Sequence, residues 1–110
     1  MTIKQLHRIY KRFNKKWFDG RLPAEIAMSF EDMKATPNGG LCTTYQEPGL
    51  VIHSIHLDRQ FEHCDKLLEF FLIHEMVHMA VYPNEKTPHD QAFQDQMHVL
   101  AARGAFKDLW

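Results

Sequence analysis

The chain has 110 residues, a length that suits one domain and leaves no room for a second. It is 45% hydrophobic and 25% charged, a globular balance that excludes a disordered segment, while the absence of an apolar run of about 18–20 residues excludes a membrane span. The net charge is only −1, yet residues 1–18 carry Lys4, Arg8, Lys11, Arg12, Lys15 and Lys16 and no acid, so the chain is strongly dipolar.

Residues 3–18 read as an amphipathic helix. Ile3, Leu6, Ile9, Tyr10, Phe13 and Trp17 recur at helical spacing and form one stripe. The six basic residues fall on the opposite side. Thr2 suits the N-cap, and Asp19-Gly20 stops the helix. The basic face has two readings: a solvated surface, or a candidate DNA-binding face that would track a phosphate backbone.

Three short strands follow. Residues 24–30 alternate, with Ile26, Met28 and Phe30 on one face. Pro37-Asn38-Gly39-Gly40 is turn chemistry, and residues 41–46 make a second strand. Glu47-Pro48-Gly49 is another turn, and residues 50–57 make a third. Short links favour antiparallel neighbours, so a mainly antiparallel sheet is expected. His53 and His56 lie three apart on that last strand, so they point to opposite faces and cannot share a site.

Residues 61–81 read as a long helix, apolar nearly all round and therefore buried between layers, with Pro83 ending it. A further helix starts at Thr87-Pro88-His89-Asp90. Thr87 is the expected N-cap, Pro88 the first helical residue, and Asp90 a favourable charge in the first turn. Gly104 closes it. The outline is an α+β domain of helix, three strands, helix, helix.

The chemistry is concentrated at His74-Glu75-Met76-Val77-His78, an H-E-x-x-H sequence inside the apolar helix. Residues i and i+4 share a helix face, so His74 and His78 can reach one metal ion, and Glu75 stands beside them as a general base. Three idle polar groups on a buried helix would cost several kcal/mol, about 2–7 kcal/mol for each group left without a partner. A catalytic zinc needs three protein ligands and one open position. Glu85, His89, Asp90 and His98 are the candidates for the third. His89 is favoured because a helical hairpin returns it to the motif; Glu85 is its main competitor; Asp90 is better used in capping; His98 lies too far along the last helix. Tyr45 and Tyr82 are candidates to stabilise an oxyanion, though packing explains each as well.

Cys42 and Cys64 cannot build a four-cysteine zinc ribbon or a disulfide framework, and they read as free thiols in a reducing compartment. Cys64 is expected to be a small buried residue. Charge throughout the first sixteen residues does not suit a signal peptide, so a cytoplasmic location is expected.

Three segments together resemble the SprT-like zinc metalloprotease family. Asn14-Lys15-Lys16-Trp17-Phe18-Asp19-Gly20-Arg21-Leu22-Pro23 is similar to its N-terminal signature, an aromatic pair before Asp-Gly-x-Leu-Pro. Residues 74–80 match its active-site helix, and His89-Asp90-Gln91-Ala92-Phe93 resembles its third-ligand segment. The resemblance implies a minimal zincin fold spanning residues 1–110, with Zn2+ on His74, His78 and His89 and Glu75 as the catalytic base. It also implies peptide hydrolysis and, for the eukaryotic members, cleavage of proteins crosslinked to DNA. Two departures stand out. Position 90 is Asp where the family often has Gly, and no cysteine follows Cys64 to form the zinc ribbon of bacterial relatives. A different class of function stays open: a non-proteolytic zinc-containing module that binds nucleic acid or a partner through the basic helix.

Overall fold

Thr2 starts the first helix, α1 (Ile3–Trp17), through a reciprocal capping box. Its hydroxyl accepts from the Gln5 backbone N–H at 3.1 Å, and the Gln5 side chain accepts from the Thr2 N–H at 2.8 Å. The apolar stripe turns inward, burying Leu6, Tyr10 and Phe13, and leaves the six cations exposed. Asp19 and Gly20, both at positive φ, reverse the chain after the helix. The turn is held by a buried residue the apolar pattern had not singled out. Asn14 donates to the Leu22 carbonyl at 3.0 Å and accepts from the Leu22 N–H at 3.1 Å, so both halves of its amide are satisfied.

The computed structural model describes residues 1–33 and 39–109, so the Pro37-Asn38 part of the expected turn lies outside the described residues. Strands β1 (Ala27–Glu31), β2 (Gly40–Glu47) and β3 (Leu50–Asp58) form one sheet in the order β1-β3-β2. The β2–β3 pair is the expected antiparallel hairpin, running from Gly40↔Leu57 to Glu47↔Leu50. Its two-residue link, Pro48-Gly49, has Gly49 at φ 77°, as a type II turn requires. The β1 strand pairs parallel to β3, from Ala27↔Ser54 to Glu31↔Asp58, so the sheet is mixed. This register sets Met28 beside Ile55 and Phe30 beside Leu57, a continuous apolar row on the inner face.

Helix α2 (Asp65–Val81) lies against that face and buries Leu68, Leu72, Ile73, Met76 and Val77. It begins four residues later than its hydrophobic pattern predicts, because Arg59–Phe61 form a separate 3-10 turn capped by the Asp58 carboxylate. Cys64 takes the N-cap position and is exposed, contrary to the expectation of burial. Helix α3 (Gln91–Ala102) packs back on α2, placing Phe93 and Leu100 in the core. Arg103, just after α3, donates to the carbonyls of Lys16 and Trp17 at 3.0 Å each, tying this end to the C-terminus of α1. Among the described residues, no helix is long and apolar enough to cross a membrane.

Candidate metal centre

His74 and His78 are one turn apart on α2, each mostly buried, with ring centroids 5.2 Å apart. His89 arrives from the segment before α3 and completes a triangle, its centroid 5.0 Å from each of the other two. One ring nitrogen from each residue falls within 4.8 Å of the others, a grouping that could hold a metal ion. His98 is exposed on α3 and outside this cluster.

The backbone at His89 differs from the expectation. His89 is not in the first turn of a helix, and Thr87 is not the N-cap. Asp90 is the N-cap, accepting from the Phe93 N–H at 3.4 Å and also from the Lys86 N–H at 2.7 Å. These backbone bonds, the Lys86 one foremost, hold the Asp90 carboxyl below its ordinary range. His89 therefore precedes the helix, at φ 60°, a left-handed conformation that is uncommon outside glycine. That conformation swings its ring toward α2 instead of along α3.

Phe93 is the seat of the cluster. Its ring centroid lies 4.9, 4.5 and 4.8 Å from those of His74, His78 and His89. It is also almost fully buried, so the imidazoles rest on an apolar floor. Only the packing shows that Phe93 backs all three histidines. Burial lowers the His89 pKa, with the neighbouring His74 and His78 adding to the effect. A neutral imidazole is the form that binds metal, so the donor set fits a divalent ion.

Glu75 is only 2% exposed, and its Oε2 lies 3.0 Å from His74 Nδ1. Its Oε1 lies 4.0 Å from His78 Nε2, so the carboxylate leans toward the imidazole cluster without belonging to it. Strand β2 makes room for it. A Cβ on Gly40 would meet Glu75 Oε2 at 3.1 Å, tighter than an ordinary contact, so glycine permits this approach. Gly39, at φ 70°, is equally constrained, because a Cβ there would meet the Phe71 ring at 2.6 Å.

A cleft of about 400 Å³ opens over the cluster between β2 and the segment from Tyr82 to His89. Cys42 and Thr44 of β2 form one wall; Tyr82, Glu85 and Lys86 form the other. Burial, and then the Glu75 and Glu85 carboxylates, push the Cys42 thiol up to about 12. Of the two tyrosines, Tyr82 lines this cleft and donates to the Gln46 side chain, whereas Tyr45 donates to Glu47 at 2.7 Å. His53 meets the Tyr82 ring, while His56 bonds Ser29 at 2.8 Å, so the two histidines do face opposite ways. Glu85 is not a member of the three-histidine group but bonds two of its members: His78 through its ring and His89 through its backbone.

The fold and site define an α+β domain whose H-E-x-x-H helix contributes two histidines to a three-histidine cluster. The SprT-like family matches residues 6–107, nearly the whole chain, and the chain belongs to that family. No curated protein matches it. Family membership and the histidine cluster together support a metalloprotease-type domain.

Proposed function

We propose that the protein is a zinc-dependent endopeptidase in which His74, His78 and His89 hold the metal and Glu75 is the general base. The single observation that carries this reading is the pairing of three converging imidazoles with a buried carboxylate outside their ligand group. A structural zinc site closes all four positions with protein ligands, and Glu75 would then have no role. Zinc, when bound, supplies Lewis-acid chemistry, acidifying water and polarising a carbonyl.

Glu75 accepts a proton at its carboxylate and returns it to the departing amine. Phe93 packs beneath the imidazoles, and the cleft above them is open to a substrate. Strand β2 is an edge of the sheet and lines the cleft, so an extended peptide can add to it by main-chain hydrogen bonds. Tyr82 is the tyrosine placed to meet such a peptide.

The test combines metal analysis with cleavage of casein. Wild type should carry one zinc per chain and cut; Glu75→Gln should keep the zinc and lose at least about 100-fold in rate, the scale of general-base catalysis. Retained activity in Glu75→Gln would remove the general-base assignment, and absence of zinc would remove the whole reading.

A second reading concerns partners. Lys4, Arg8, Lys11, Arg12, Lys15 and Lys16 all lie exposed on one helix, which supports a DNA-binding face beside, or in place of, proteolysis. Three of the six are engaged within the chain: Lys11 pairs with Glu25 at 3.5 Å, Arg12 with Glu69 at 3.4 Å, and Lys16 lies over the Trp17 ring at 4.8 Å from its centroid. Exposed pairs of this kind are weak and exchange readily for phosphate. Zinc bound without turnover in any condition, with DNA retained, would favour the non-proteolytic module.

A further inference from the structure

We propose that Glu85 is a positioning residue that locks two of the three histidines into register for the metal. The inference rests on the metal-centre reading above and adds to it a residue outside the ligand set.

The geometry is bidentate. Glu85 Oε1 lies 2.7 Å from His78 Nδ1, and Oε2 accepts from the His89 backbone N–H at 2.8 Å. Its side chain is 13% exposed and its bond to His78 is part-buried, while its bond to the exposed His89 backbone lies nearer the surface. Its own backbone N–H donates to the Val81 carbonyl at 3.1 Å, which anchors Glu85 on the last turn of α2.

Each bond has a distinct consequence. A carboxylate only accepts, so the His78 proton sits on Nδ1 and the Nε2 lone pair is left for the metal. Such a partner also makes the imidazole a stronger donor. The second bond acts on the backbone. His89 is held at φ 60°, where a residue with a Cβ is disfavoured, and its N–H has Glu85 as its partner. The same side chain thus sets the tautomer of one ligand and the backbone angle of another. Both oxygens are engaged in this way, and among the described residues the metal-suited group holds the three histidines without Glu85, so Glu85 acts through the ligands and not as one.

The experiment measures zinc affinity by chelator competition for wild type, Glu85→Ala and Glu85→Gln, with the His78 Hδ1 resonance followed by NMR. Glu85→Ala should bind one zinc per chain but about 10–100-fold more weakly, the usual effect of removing such a partner. Its Hδ1 signal should be lost to exchange with water. Glu85→Gln keeps the shape and one acceptor oxygen, and should fall between the other two. If Glu85→Ala does not fold, Glu85→Gln carries the test through the same two readouts. Affinities within twofold of wild type overturn the role of Glu85 while leaving the metal centre intact. A wild type that binds no zinc overturns both. Loss of zinc stoichiometry in Glu85→Gln, with the fold retained, would make Glu85 a ligand and overturn the positioning role.

Discussion

Cys42 and Cys64 show how strongly position separates two chemically identical side chains. Cys42 faces the cleft, where burial and two carboxylates oppose its ionisation and push its pKa up to about 12. Cys64 stands exposed at the start of α2. A raised thiol pKa keeps the neutral form dominant throughout pH 7–9, with a thiolate fraction of roughly 10⁻⁴ at pH 8. In metal-free protein at pH 8, iodoacetamide should therefore label Cys64 and spare Cys42, as read by peptide mass spectrometry. Denaturation should expose both. Equal labelling rates in the folded protein would show that burial and the carboxylates beside Cys42 do not act on it as described. The glycines are as position-dependent. Gly39 and Gly40 look like turn residues in the sequence, but Gly40 sits at the Glu75 carboxylate and Gly39 against Phe71. Neither contact has a local signature, because each depends on a helix about thirty residues away.

At the scale of the element, α1 carries two patterns at once. Its apolar stripe and Thr2 cap are legible because both follow helical periodicity and first-turn chemistry, and the structure bears them out. Its basic face is equally legible, but periodicity cannot say what meets it. If the face binds DNA, affinity should fall steeply with salt. The slope of log K against log salt should be about −0.9 for each phosphate neutralised. Reversing Lys4, Arg8, Lys11 and Lys15 to Glu should abolish the binding, as measured by fluorescence anisotropy, and leave zinc content unchanged. A salt-independent affinity, or full binding after reversal, would return α1 to a solvated face. The segment before α3 teaches the opposite lesson. Thr87-Pro88 has good helix-start chemistry, yet Asp90 takes the cap because its carboxylate also accepts from the Lys86 and Thr87 N–H groups. That tighter loop leaves His89 free of the helix and able to adopt positive φ.

The whole molecule is small, and its histidine cluster spans two parts that otherwise meet through side-chain packing and the Glu85 hydrogen bonds. His74 and His78 belong to α2, His89 to the loop leading into α3, and Phe93 of α3 lies beneath all three. A metal bound there links the two helices in the folded state and has no preformed site in the unfolded chain. Zinc at 100 times its Kd would add about 2.7 kcal/mol. For a domain of this size, that amounts to a rise in Tm on the order of 10 °C. Calorimetry with and without EDTA should show the rise and its reversal. An unchanged Tm in zinc-loaded protein would mean that the metal binds the unfolded chain as tightly as the folded one.

The sequence by itself determined the helices, the strands, the Pro48-Gly49 hairpin, and the pairing of His74 with His78 across one helical turn. Each of these depends on neighbours within a few residues, so periodicity and turn chemistry are enough. It also pointed to His89, through its distance from the motif and the resemblance to a family that covers nearly the whole chain. Tertiary structure alone decided the rest. It seated β1 on the far side of β3 from β2, a position that makes the β1–β3 pair parallel and keeps Met28 and Phe30 in register with Ile55 and Leu57. It placed Phe93 under the cluster and gave Glu85, a rival ligand in the sequence, hydrogen bonds to both His78 and His89. These outcomes follow from groups distant in sequence competing for the same buried space and the same hydrogen bonds, and only the folded chain resolves that competition.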